Sequence, residues 1–181
     1  MIGRRRREER RDDRQTFGRG GDAVRYKMKQ RMVSIGDDFW IENDSGDRVF
    51  KVDGKALRVR TTLKFEDAHG NELAKIQERK ARIKDTMKIE GSDGSTLATV
   101  KKALVTPVRA RFSVDIPGGT DLSIRGNIVD HEYTISAGSD KVAEVSKKWF
   151  RVRDTYGVQI DQGQNDIVIL AITVALDMMN D

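Results

Sequence analysis

The 181-residue chain contains no cysteine, which excludes a disulfide framework, a thiolate metal site and a cysteine nucleophile. Histidine occurs only as His69 and His131, and neither stands in an H-E-x-x-H or other metal-ligand spacing. His69 falls in a DAHGN turn and His131 at the start of a strand, so both are expected to be structural or solvent-facing. No serine sits in a G-x-S-x-G elbow, and no glycine-rich loop leads from a strand into a helix to cradle phosphate. Asp130, His131 and Glu132 are neighbours, and in a strand neighbours point to opposite faces, which spoils them as a triad. These absences predict a protein that is not an enzyme and holds no cofactor and no metal.

Apolar residues are also scarce, at 37% against 35% charged, so the core must be concentrated in a few places. A chain of this length makes one domain with a real core. No apolar stretch follows the basic N-terminus, so no secretory signal is read there, and the cytosol is the expected compartment. The net charge of +5 suggests nucleic acid, but its distribution argues against that. Residues 1–21 hold eight Arg against four Asp/Glu, whereas the remaining 160 hold 26 Lys/Arg against 25 Asp/Glu. A nucleic-acid domain carries its basic excess on the folded surface. Residues 1–22 lack apolar periodicity and are expected to be a disordered Arg-rich tail, either solvating or an electrostatic tether to anionic membrane or RNA.

One long apolar run is present, Ile167–Met179, reading IVILAITVALDMM. It is apolar in every direction, which means burial on all sides in a core or a membrane. As a helix its 13 residues span roughly 20 Å, short of the roughly 20 residues a bilayer needs. The run is therefore predicted to be a buried core helix over about 167–179, with Asn165 or Asp166 as N-cap after a turn at Gly163. Its β-branched residues leave a strand over Ile167–Thr173 as the alternative.

The rest of the chain is β-patterned from Tyr26 onward and repeats. Phe39–Val52, Leu63–Ile76 and Met87–Val100 each read as an alternating run, an acidic Gly-containing turn and a second run, with starts 24 residues apart. Looser copies are Phe112–Ile124, Tyr133–Val145 and Arg151–Ile160. Such pairs of runs around Gly/Asn/Asp turns are hairpin signals, and the period points to a repetitive architecture. Val108, Ala110, Phe112, Val114 and Ile116 alternate with polar residues, as do Leu57 and Val59 with Arg58 and Arg60, and Leu63 and Phe65 with Lys64 and Glu66. Period two with one apolar face means antiparallel strands. Sandwich and barrel both fit the strands, and the terminal helix breaks the tie, because about eleven or more strands leave room for a central helix. The predicted fold is mainly β: a twelve-stranded antiparallel closed barrel of six successive hairpins, residues 23–181, enclosing one apolar C-terminal helix. Thr155–Tyr156–Gly157 matches the chromophore tripeptide of fluorescent barrels, but is assigned to the sixth hairpin turn, where Gly157 supplies turn geometry and cyclisation has no basis.

Gly36–Ile41 (GDDFWI), Val49–Lys55 (VFKVDGK), Val142–Val158 (VAEVSKKWFRVRDTYGV) and Leu170–Asp177 (LAITVALD), together with the hairpin series, resemble the LURP-one-related family. That family belongs to the tubby C-terminal-like superfamily, which also includes the phospholipid scramblases. The resemblance runs from about Tyr26 to Met179 and implies a twelve-stranded barrel around a C-terminal helix. Tubby domains bind phosphoinositide headgroups through basic surface residues, and scramblases act at membranes with calcium. This chain lacks the scramblase cysteine cluster and proline-rich N-terminal region, and DSGD and DAHGNE read as hairpin turns rather than calcium loops. No lipid-binding position carries over residue by residue.

Basic clusters are the remaining functional signal. Arg79, Lys80, Arg82 and Lys84 crowd one connection and Lys101–Lys102 another. Lys147, Lys148, Arg151 and Arg153 flank Trp149 and Phe150. Such cations either hold an anionic phospholipid headgroup or peripheral membrane surface or are simply solvated around an aromatic core corner. The expected partner is accordingly an anionic phospholipid, with the inner membrane surface as the site of action. The competing readings are a structural or protein-interaction scaffold that binds a protein, and a scramblase-like lipid translocator. Nucleic acid and a transmembrane segment are not expected.

Overall fold

The structure, a computed structural model, describes residues 23–29, 38–54, 62–79, 86–106, 109–150 and 154–180. They form β1 (Val24–Lys29), β2 (Phe39–Asn43), β3 (Arg48–Asp53), β4 (Thr62–Asp67), β5 (Glu72–Glu78), β6 (Thr86–Gly91), β7 (Thr96–Thr106), β8 (Arg109–Asp115), β9 (Leu122–Asn127), β10 (Glu132–Ala137), β11 (Asp140–Ser146), β12 (Thr155–Ile160) and α1 (Asp166–Asn180). The predicted tail, the Leu57–Val59 alternation, Val108, and the cations Lys80, Arg82, Lys84, Arg151 and Arg153 lie outside the described residues.

Strands neighbouring in sequence pair antiparallel, and β1 pairs with β12 from Val24 opposite Ile160 to Lys29 opposite Thr155. That last ladder closes the sheet into a barrel and leaves no edge. The first three repeats are alike in detail. Each tip places a glycine in the left-handed region, Gly46 at φ 87°, Gly70 at 85° and Gly94 at 81°. Each has the same pair of backbone bonds, such as Gly46 N–H to Asn43 O at 3.1 Å and Asn43 N–H to Asp47 O at 2.9 Å. This is the type I turn with a left-handed glycine that suits three-residue hairpin loops. A register shift follows at the same place in each, at Ile41/Glu42, Phe65/Glu66 and Ile89/Glu90.

Five hairpins stand where the sequence puts them. The segment predicted as a sixth supplies β12, and the strand that pairs with it on the open side is β1, at the other end of the barrel chain. Thr155, Tyr156 and Gly157 are therefore strand residues, all buried, and Gly157 shapes no turn. Lys101 and Lys102 likewise lie within β7 and not in a connection.

Inward positions alternate as expected: Phe112 and Val114 are buried while Arg111 and Ser113 are exposed. The lumen is filled by α1, about 22 Å long, whose residues Val168 to Leu176 are all buried. Burial on every side overrides the weak helix propensity of its isoleucines and valines, since tertiary packing supplies most helix stability in proteins. Asn165 is the cap: its Oδ1 accepts from Val168 N–H at 3.2 Å and its carbonyl from Ile169 N–H at 3.1 Å. Asp166, the first helical residue, accepts the Tyr26 hydroxyl at 2.6 Å. At the far end α1 has no basic residue in its last turn, and β7 provides one, Lys102 Nζ donating to Met179 O at 3.0 Å. A cation there suits the helix dipole.

Leu170 is fully buried in the lumen. Leu170→Asp places an unpaired carboxylate at the barrel axis and costs several kcal/mol, comparable with the total stability of a domain, about 5–15 kcal/mol. The expected outcome is loss of the cooperative thermal transition in circular dichroism. An unchanged melting curve contradicts the lumen-filling role.

Candidate functional site

Antiparallel hairpins sort the connections into two sets. The turns β2–β3, β4–β5, β6–β7, β8–β9 and β10–β11, with the β12–α1 connection, stand at one end of the barrel, where α1 begins. The connections after β1, β3, β5, β7, β9 and β11 stand at the other, where α1 ends. The hairpin end carries Asp44, Asp47, Asp67, Asp93, Asp115, Asp121, Asp140, Asp161 and Asp166, and residues 43–47, 67–71, 91–95, 115–121, 138–140 and 161–166 contain no Lys or Arg. Turn chemistry explains the choice, because aspartate bonds the backbone a few residues on. Asp67 accepts from the His69 and Asn71 amides at 2.8 and 2.9 Å, and Asp93 from the Ser95 amide at 2.9 Å. These bonds, led by the side chains of Asn71 and Ser95, hold both carboxyls below the usual carboxylate range.

Cations gather at the loop end. Lys29, Arg79, Arg111, Arg125 and Lys148 are exposed there and Lys147 is half-buried. Among the described residues none of the six has a carboxylate within salt-bridge distance, whereas cations along the barrel wall are matched, as in Lys27–Glu42, Lys51–Asp38, Lys88–Glu90 and Lys101–Asp115. Phe112 pairs with Ile124, so Arg111 and Arg125 stand opposite each other on the outer face, a like-charge pair that disfavours the sheet unless an anion screens it. Glu78, Asp130 and Asp154 are exposed at the same end. Glu132 is engaged by the Ser146 hydroxyl at 2.9 Å and the Lys147 amide at 3.0 Å.

The two clusters read from the sequence are thus brought to one end but not to one pocket. Arg79 follows β5 and Lys147–Lys148 follow β11, and these strands lie six apart in a ring of twelve. At a strand spacing of about 4.8 Å and a tilt of about 35–45° the ring is roughly 22–26 Å across, too far for one headgroup to touch both rims. A flat anionic surface can meet both. Trp149 and Phe150 are half-buried and engaged within the fold. Among the described residues, no group of three His, Cys, Asp or Glu could hold a metal ion, and no helix is long and apolar enough to cross a membrane.

Sequence reasoning missed one cluster. His131 Nε2 lies 2.7 Å from Asp177 Oδ1, the Tyr156 hydroxyl donates to Asp177 Oδ2 at 2.6 Å, and the His131 ring stacks on Tyr156 at 4.2 Å. His131 turns the β9–β10 connection with φ 52°. Gly126 lets this corner close, since a Cβ there would meet Glu132 O at 2.5 Å. The His131 and Asp177 side chains are only 7% and 9% exposed, and their bond ties the end of α1 to the β9–β10 corner. A carboxylate ending an otherwise apolar buried run was the available signal, because such a group must find partners.

All three tyrosines have raised hydroxyl pKa values: Tyr26, Tyr133 and Tyr156, each chiefly through burial, with Asp166 adding for the first and Asp177 for the others. A raised folded value favours the native state below the ordinary value near 10 and loses that contribution as pH rises above it. Spectrophotometric titration should therefore show no tyrosinate until alkaline unfolding, then all three together. Stepwise titration of a folded chain contradicts this. The buried Tyr133 hydroxyl lies beside Thr173 of α1 without a hydrogen bond of good geometry, whereas that of Tyr156 donates to a carboxylate. Tyr156→Phe should cost about 1.5–3 kcal/mol in urea unfolding and Tyr133→Phe close to nothing.

Comparison with known proteins fits this architecture. An X-ray structure of an Arabidopsis thaliana protein matches with a TM-score of 0.65 over 88% of this chain and 92% of that one, at 17% identity, which is a likeness of fold. The Bacillus subtilis protein YxjI is 29% identical over 152 residues, 84% of this chain and 91% of its own length. The LURP-one-related family model matches residues 24–177, the span from the first strand to the carboxylate that anchors the helix, and the chain belongs to that family.

Proposed function

We propose that the protein is a non-catalytic module that docks on an anionic phospholipid surface through the loop end of its barrel. The observation that carries this reading is the charge polarity of the two ends. Among the described residues, cations without a carboxylate in reach gather at the loop end, whereas the hairpin turns carry aspartates, with Arg48 and Lys141 as the cations at their borders. A negative surface attracts the first and repels the second, so it both binds the barrel and orients it. The separation of Arg79 from Lys147 and Lys148 favours an extended surface over a single headgroup pocket. The inner membrane surface, reached from the cytosol, is the compartment this reading assigns. The matched charges of the wall favour a second reading, a scaffold that meets a protein partner along its side.

Sedimentation with phosphatidylserine- or phosphoinositide-containing vesicles at low salt separates them. Each cation near such a surface contributes about 1 kcal/mol, so Arg79→Ala/Lys147→Ala/Lys148→Ala should weaken binding about 100-fold. Binding should also fall steeply with salt. A chain that stays in the supernatant at low salt removes the lipid reading.

A further inference from the structure

The helix does not fill the lumen evenly. It packs against β5, β6, β7 and β12. On the side of β8, β9 and β10 this leaves an open cavity of about 430 Å³ beside the start of α1. That volume is within the range of small-ligand pockets. Its floor is Leu97, Ile116, Leu122, Val168 and Ile169, and Thr120 and Gln164 stand at its polar side. The cavity opens among the aspartate turns, and of those nine carboxylates Asp115 is the one with a lysine partner among the described residues, Lys101.

The chain enters the barrel at this same end. Val24 pairs with Ile160, directly before the connection to α1, and 22 residues precede the first described one, Ala23. Those residues hold eight Arg, five Asp/Glu and a single aromatic, Phe17. Phe17 stands six positions before Ala23, a fully extended reach of roughly 20 Å. The cavity strands β10, β9 and β8 lie three to five places from β1 around the ring, roughly 14–24 Å along the wall at about 4.8 Å per strand.

We propose that this cavity docks the chain's own N-terminal segment, with Phe17 in the apolar floor and the arginines between Arg4 and Arg14 over the aspartate turns. Three things select this occupant. Its charge complements the turns, its tether reaches the cavity, and the tether supplies an effective concentration in the millimolar range without diffusion. An apolar residue entering an apolar floor adds a contact that salt does not screen. Docking also settles the role of the arginines: they neutralise the hairpin end of their own barrel and do not add to the cations of the loop end.

The absence of cysteine makes the test direct. A nitroxide on Gly18→Cys in the full-length chain should broaden the amide signals of Thr120, Ala137 and Val168 at low salt and leave Lys148 sharp. The broadening should weaken in 0.5 M salt and in Asp93→Asn/Asp121→Asn/Asp140→Asn, which keeps the turn bonds, and be lost when Phe17→Ser is combined with 0.5 M salt. Equal broadening at both ends, or none at low salt, overturns the proposal. So does broadening that appears only when nitroxide-bearing and isotope-labelled copies are mixed, since the segment then docks on a second chain. No vesicle takes part, so this result stands apart from that of the membrane test.

Discussion

Closing a sheet of twelve strands creates an interior that side chains from the wall cannot fill alone, and the remainder of the structure follows from how that interior is occupied. The occupant is α1, with nine consecutive buried residues from Val168 to Leu176. A helix with no wet face needs its polar groups satisfied at its ends. Here each end has a carboxylate bonded to a barrel tyrosine, Asp166 to Tyr26 and Asp177 to Tyr156. Asn165 caps the first turn and Lys102 meets the last carbonyls. The helix is thereby fixed along the axis as well as packed across it.

The same closure produces the charge polarity. In an up-and-down sheet successive connections alternate between the two ends, and here the turns β2–β3, β4–β5, β6–β7, β8–β9 and β10–β11 share the end where α1 begins. Tight turns favour Asp, Asn and Gly because those residues bond locally or accept a positive φ. Negative charge therefore collects at the hairpin end as a consequence of turn chemistry, before any question of binding. Among the described residues, most wall cations pair with carboxylates, Arg48 lies over the Trp40 ring, and the cations of the loop end have no carboxylate in reach. The functional reading rests on that asymmetry, and the asymmetry rests on topology.

Much of the barrel was legible from local pattern. The 24-residue spacing of Gly46, Gly70 and Gly94 marks three turns of one geometry, and period-two alternation identifies their strands. The all-apolar run before Asp177 announced the helix. The misreading at Thr155–Tyr156–Gly157 came from composition: Asp154, Tyr156 and Gly157 look like a turn when read locally, but Tyr156 is wholly buried in β12. The strand that pairs with β12 to close the barrel is β1, with partners from Lys29–Thr155, 126 positions apart, to Val24–Ile160, 136 apart, and no local signal spans that distance. Of the candidate cations, Arg79, Lys147 and Lys148 are among the described residues, and their placement on opposite rims depends on counting strands around a closed ring.

By itself the sequence determined the period of each segment, the turn types and the need for an enclosed helix, because these depend on residues within a few positions of one another. Tertiary structure alone decided the pairing of β1 with β12, the meeting of His131, Tyr156 and Asp177, and the separation of charge between two ends. Each of these joins residues tens of positions apart, and only the closure of the sheet around α1 sets their distances.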